Sequence, residues 1–342
     1  MKKIFLSGTA LLAFATASVA QNTVTLTQSG SHQMAIQSQT GANQASTITQ
    51  NQGSGTNQGN WAGTYQTSTV LNTATINQNT NSIGNQAGIN QRDINQVATI
   101  DQSGGAMGFS KNNEAYVKQT DTRQTATVSQ TDKSEGNYAN IIQSNTQNTV
   151  LVRQVADATN NDATVTQTGT TDLAIIIQTA GATAGLADIK QSGTANFGQI
   201  TQAAGSDLNA SSVGNEAHID QMTVGSNNMA TIIQGNVQNA YPAGPATSSD
   251  NYAMIRQNGN ANAVVLLQLG DLNTFNLTQT GDGNVVQGLP GSAYGQPGVT
   301  KQVGNGNTLT ITQTSAAGSL GQVINIEQIG NGNANVITQT NN

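Results

Sequence analysis

The 342-residue chain contains no cysteine, which excludes disulfides, thiolate metal sites and lipid attachment through an N-terminal cysteine. Charge is scarce, at 8% of residues, and aromatics are scarcer, at 4%. The few charges sum to −6, and removal of Lys2 and Lys3 with a leader makes the balance more negative. A phosphate-binding surface needs the opposite sign, so nucleic acid is excluded as a partner. Only one long apolar run is present, Ile4 through Ala17. Lys2 and Lys3 precede it and the small residues Ser18, Val19 and Ala20 follow, so residues 1–20 read as a secretory signal peptide cleaved after Ala20. That run is too short to span a membrane, and no later stretch approaches the length needed. The chain is therefore expected to be exported and not to be a transmembrane protein.

What remains is rich in Asn, Gln, Thr and Gly, a composition that gives disordered or amyloid-prone chains unless periodic order intervenes. Here the order is strong. Gln119, Gln130, Gln143, Gln154, Gln167, Gln178, Gln191 and Gln202 follow one another at alternating short and slightly longer spacings, and each closes the same phrase. Counting such glutamines from Gln28 to Gln339 gives 24 half-repeats. With the closing glutamine as position 0, position −2 is Ile, Val or Leu in all but three (Gln37, Thr64, Thr300), and position −4 is most often alanine. Position −6 is Asn or Gln except at Asp172 and Gly185. The phrase is Asn-x-Ala-x-Ile-x-Gln.

Alternation with period two puts positions −6, −4, −2 and 0 on one face of a strand. Burial restricts residue choice, so this is the inner face. The other face tolerates Lys118, Arg153, Lys190, Asp220 and Glu327 at −1 and reads as solvated. A period this short predicts stacked strands that bury their inner faces only against neighbouring coils. Strands stacked ~4.8 Å apart let identical amides bond to the copies above and below. Without such partners each buried amide would cost about 1–3 kcal/mol. The expected fold is all-β, a β-solenoid of about 12 two-stranded coils, forming a single domain over residues 21–342.

Glycine at +2 in ten half-repeats, including Gly169, Gly193 and Gly259, marks tight reversals that need positive φ. The two longest gaps, Gln234 to Gln257 and Gln279 to Gln302, hold all four prolines: Pro242, Pro245, Pro290 and Pro297. Proline cannot donate to a strand ladder. Long loops are therefore expected near 235–250 and 284–297, as excursions between coils.

The string Gln-x-Gly-x-x-Asn-x-Ala-x-x-x-Gln resembles the repeat of curlins, the subunits of bacterial curli fibres. Gln191, Gly193, Asn196 and Gln202 fit it, with Gly198 in the alanine place. Gln167, Gly169, Ala174 and Gln178 fit it with Asp172 in the asparagine place. Gln302, Gly304, Asn307 and Gln313 repeat the frame, as do Gln328, Gly330, Asn333 and Gln339, with Leu309 and Asn335 replacing alanine. The resemblance implies a solenoid with two strands and two turns per coil, secreted across the outer membrane through a dedicated channel. It further implies polymerisation, with itself and with sister curlin-type subunits, into extracellular amyloid that supports adhesion and biofilm. Major subunits of that family carry an export-targeting stretch ahead of the first repeat. Here Asn22 already opens the first phrase, so no such stretch is expected.

The expected function is a secreted fibre-forming structural protein, with the roles of major subunit and nucleator both left open. Its assembly residues are the inner ladder, represented by Asn137, Ala139, Ile141, Gln143, Gln167, Gln178, Asn196, Gln202, Asn228 and Gln234. Polymerisation is assigned to the terminal strands, through Val24, Leu26 and Gln28 at one end and Asn333, Ile337 and Gln339 at the other, because exposed strand edges template pairing. A monomeric solenoid adhesin that binds a glycan or surface through its loops is the alternative. An ice-binding array is a weaker one, since Thr-x-Thr pairs such as Thr164/Thr166 are scattered. His32 and His218 belong to no nucleophile or zinc pattern, and Asp282 has no nearby carboxylate with which to share a metal. No enzyme, cofactor or metal is expected. Aromatics at −5 (Trp61, Tyr138, Phe197, Tyr252) are read as packing over strand edges rather than gripping carbohydrate.

Overall fold

The structure is a computed structural model that describes residues 21–51, 59–68, 70–105, 108–203, 211–222, 225–235, 247–289, 298–316 and 321–341. The signal-peptide segment 1–20 and all four prolines fall outside these residues. Among the described residues there is no helix; the chain winds into two long parallel sheets facing each other across a narrow core. The second sheet stacks 12 strands from Met34–Gly41 to Ala334–Asn341. The first also runs 12 rows deep, from Thr23–Ser29 to the last coil. Twelve coils joined by eleven steps make a β-solenoid of about 11 turns, as the repeat predicts.

Register follows the closing glutamine throughout. Gln119 pairs with Gln143 and Gln143 with Gln167, while Val117, Ile141 and Val165 fall in line beside them. Insertions leave this untouched, since Gln50 still pairs with Gln78 across residues 52–58. A one-residue slip would turn every aliphatic side chain outward and every outer charge inward, so burial itself holds the register. The resulting core is one continuous file from Ala35 to Ile324, in which Ala139 and Ile141 are fully buried.

The two alternating spacings have separate origins. The shorter corner leads from the second sheet back to the first. The opposite corner is wider and carries a third narrow parallel arc, seen in the strands Ser82–Ile83, Ser110–Lys111, Ala182–Thr183, Ser211–Val213 and Thr247–Ser249. Small residues line its inside: Ser82, Ser110, Ser134, Ala158, Ala182, Ser212 and Ser248 are all buried. Most tight corners take positive φ at +2, supplied by glycine (Gly193, +113°; Gly259, +126°) or by residues such as Asn145 (+67°). Gly169, expected to need it, does not, and is required instead by the approach of Asp172 Oδ2, 2.0 Å from where its Cβ would sit. A Cβ on Gly193 would also lie 2.0 Å from the carbonyl oxygen of Gly225, so this glycine is required twice over.

Three further expectations need correction. Position −6 is in most coils a corner residue rather than part of the strand, which starts one place later, as in Tyr138–Gln143; Gln44–Asn51 and Asn72–Gln78 do begin at −6. The gap from Gln279 to Gln302 is not an excursion between coils but opens inside one strand. Val285–Gln287 pairs with the first half of the Ala263–Leu269 strand, and Thr300–Val303 with its second half. The chain leaves between them and returns, so the −6 place of this phrase is held by Asn284. Finally, Glu327 is not solvated. The returning segment covers part of the outer face, where Leu267, Leu269, Val299 and Val303 form a second small core. There Glu327 lies 3.4 Å from the fully buried Lys301 ammonium.

Candidate assembly surface

Each inner glutamine is a rung. Gln119 Nε2 donates to Gln143 Oε1 at 2.9 Å, Gln143 to Gln167 at 2.9 Å, and Gln154 to Gln178 at 2.8 Å. The file is unbroken from Gln28 to Gln328 in the first sheet and from Gln39 to Gln339 in the second. Every donor points toward the C-terminal end. The second hydrogen of the amide is used across the core: Gln178 Nε2 also reaches the carbonyl oxygens of Asp162 and Gly185. The buried amides are thus satisfied three ways, by the copy below, the copy above and the facing strand.

The asparagines at −6 form a second ladder of opposite sense. Asn161 donates through both its backbone N–H and its Nδ2 to Asn137 Oδ1, at 2.9 and 3.1 Å. Asn137 Nδ2 also caps the arc through the carbonyl of Ala158. The same bonds recur where Asn228 meets Asn196 and where Asn262 meets Asn228. Glutamine is not equivalent to asparagine here. Gln44, Gln96 and Gln124 keep the donor bonds to turn carbonyls, but each leaves its Oε1 buried and unpartnered. The sequence pattern treated the two amides alike, whereas asparagine brings its oxygen to the next N–H and these three glutamines do not, although Gln33 in the first coil still accepts from the Asn60 N–H at 3.2 Å.

The structure brings Asn137, Ala139, Ile141, Gln143, Gln167, Gln178, Asn196, Gln202, Asn228 and Gln234 together inside the stack, all of them buried. It separates the named terminal strands, because Thr23–Ser29 edges the first sheet and Ala334–Asn341 edges the second. Val24, Leu26 and Gln28 therefore do not face Asn333, Ile337 and Gln339 in a continued stack. The missing half of each end is Met34–Gly41 at the start and the Val323–Asn325 and Glu327–Ile329 strands at the finish. Alternating strand assignment along the chain would have revealed this.

Both ends are open. Val24 and Leu26 are 43% and 37% exposed, although their equivalents inside the stack are fully buried. Unpartnered buried amide atoms also occur there: Gln33 Nε2 and Gln39 Oε1 at the first coil, and Gln322 Oε1 at the last.

On the outer face of the second sheet, Trp61 lies over Gly63 and reaches toward Gly88, with Tyr116 close to the same glycine. Tyr116 and Tyr138 rings stand 6.4 Å apart. Burial, then the bond to Glu114, pushes the Tyr116 hydroxyl up to about 12. His218 is half-buried rather than a free surface residue. Its Nε2 is 2.7 Å from Glu216 and its Nδ1 3.7 Å from Asp188, and the bond to Asp188 raises its pKa. Burial works against ionisation of Asp188, but His218 and Lys190 outweigh it and hold that carboxyl below its usual value. Among the described residues no cluster of His, Asp or Glu could hold a metal ion.

No curated protein matches the chain. Residues 249–281 do match the family model described as the curlin associated repeat. They cover three consecutive strands, Tyr252–Asn258, Ala263–Leu269 and Thr274–Thr280, in which the closing glutamines recur at the shortest spacing. The likeness to curlins, structural rather than enzymatic proteins, therefore rests on a family-model match as well as on the recurring Asn, Ala, Ile and Gln.

Proposed function

We propose that this chain is an exported structural subunit that stacks end to end into curli-like extracellular amyloid fibres supporting adhesion and biofilm matrix. The observation that carries this reading is the open, mutually complementary pair of ends. Both glutamine files donate toward the last coil, so that end offers N–H groups where the first coil offers oxygens. The asparagine files run the other way and complement each other in the same sense. A second copy placed on the last coil continues all four files, with Thr23–Ser29 on the first sheet and Met34–Gly41 on the second. Such a head-to-tail contact does not close on itself and grows a filament.

Purified chain starting at Gln21 should form fibrils with cross-β diffraction, its strand repeat near ~4.8 Å. A chain that stays monomeric at high concentration for days overturns the reading. Adhesion through loops makes a different forecast for a deletion of residues 236–246: fibres should form as before while any surface binding is lost. Ser248 is buried in the arc, so the deletion must stop before the Thr247–Ser249 strand.

A further inference from the structure

Asp172 stands where neighbouring coils of the first sheet hold an amide, and it does only half of that amide's work. Its Oδ1 accepts the backbone N–H of Asn196 at 2.9 Å, and its own N–H donates to Asn148 Oδ1 at 3.0 Å. Its Oδ2 is buried with no partner. One coil earlier, Asn148 Nδ2 donates to the carbonyl oxygens of Ser144 and Gly169, at 2.7 and 2.8 Å. The same offsets from Asp172 lead to the carbonyls of Thr168 and Gly193. Asp172 Oδ2 and Gly193 O also flank one point, lying 2.0 and 2.5 Å from where a Cβ on Gly169 would sit. Two oxygens that face each other without a hydrogen repel, and a proton on one of them converts the contact into a donor bond.

We infer that Asp172 is an acid-operated latch in the corner ladder: protonated, it donates to the Gly193 carbonyl and completes the file, and ionised, it leaves that coil strained open. No neighbouring charge changes this picture. The strand that follows Asp172, Leu173–Thr179, and the adjacent Phe197–Ala203 contain no ionisable side chain, and Arg153 on Thr149–Val155 is exposed. Across the core, Asp162, Asp188 and Lys190 sit on the outer face. Burial correspondingly raises the Asp172 carboxyl to about 6, against the opposing effect of the Asn196 bonds.

The test is amide hydrogen exchange on soluble full-length mature chain at pH 5 and pH 7.5, corrected for intrinsic rates, with Asp172→Asn, Asp162→Asn and His218→Gln beside the parent. His218 and Asp162 have raised pKa values too, so their variants separate the contributions. The latch requires the Leu173–Thr179 and Phe197–Ala203 amides to be protected at least tenfold more at pH 5 than at pH 7.5 in the parent. Asp172→Asn should show equal protection at both. If that variant keeps the parent's pH dependence, the inference fails. A carboxyl titration by NMR placing Asp172 below pH 4.5 in the folded chain overturns it independently of any variant.

Discussion

Ile141 and Leu26 occupy the same place in the repeat, two residues before a closing glutamine. Ile141 is fully buried, whereas Leu26 is 37% exposed. Nothing in their own coils differs enough to explain this, since both strands pair in perfect register with the next. The difference is that Ile141 has a coil on each side and Leu26 on one. A coil of this protein is half a structural unit, and its core is completed by its neighbours. Gln143 and Gln28 make the same point in polar terms: each donates to the rung below, but Gln143 also accepts from Gln119 above. The ends are interior coils with one neighbour removed, so the proposed stacking would ask of an end only what every interior coil already does.

The largest effect should come from putting a charge into this contrast. Gln143→Lys buries an ammonium where both neighbouring rungs are amides, leaving it uncompensated at a cost of about 3–5 kcal/mol. Urea denaturation of the monomer should show the central coils melting first. Gln28→Lys has water on one side, so the monomer should lose far less while fibre growth from that end stalls. Equal losses of monomer stability from the two would abolish the distinction between interior and end.

Next in size is the aliphatic file. Ile141→Ala should cost the monomer about 2–5 kcal/mol through lost burial and the cavity left behind. Leu26→Ala, already part-hydrated, should cost appreciably less in the monomer but raise the critical concentration for fibres, where the second copy would bury it. A Leu26→Ala chain that polymerises as readily as the parent would remove the first coil from the interface.

Asp172 sharpens the comparison within the interior. Its folded pKa of about 6 lies above the ordinary value of about 3.9. For a group raised in this way, its stabilising contribution is fully present below the unfolded pKa and is lost as pH rises through the folded one. The window is therefore about pH 4 to 6. Two units correspond to about 3 kcal/mol, an upper figure once relaxation is allowed. Asp172→Asn should recover most of it at pH 7.5 and little at pH 4, read from urea midpoints at both values.

How much of this was legible beforehand divides along physical lines. Position 0, −2 and −4 could be read because burial and stacking restrict them in the same way in every coil; Gln143, Ile141 and Ala139 needed no structure to place. The division of Gln279 to Gln302 could not be read. A strand interrupted after Gln287 and resumed at Thr300 looks in sequence like a long loop, because its pairing partner, Ala263–Leu269, is what reunites it. Glu327 was misread for a related reason. Its place on the outer face is correct and Lys301 is its register partner on the neighbouring strand, but the chain that covers the pair, from which the Leu289 N–H reaches Glu327, is invisible to a period-two rule. The wide corner escaped because its buried serines and alanines are too varied to announce a third arc. Asparagine and glutamine at −6 were merged because they share chemistry, and only side-chain length separates Asn148 from Gln124.

The smallest effect should come from the outer face. Lys111 and Glu135 sit in successive coils at the wide corner, 2.8 Å apart, with their side chains 42% and 50% exposed. Geometrically this bond matches the inner rungs, and like them it links one coil to the next. Its surroundings differ: water solvates both ions when they part, and holding two long side chains together costs rotamer freedom, so such pairs contribute about 0–1 kcal/mol. Salt screens what remains. Lys111→Ala should accordingly shift the monomer's urea midpoint little, and less still at high ionic strength. Comparable losses from Lys111→Ala and from an interior rung would mean that distance alone sets the strength of a link between coils. The inner files predominate because burial denies their amides water as a replacement partner when the coils part.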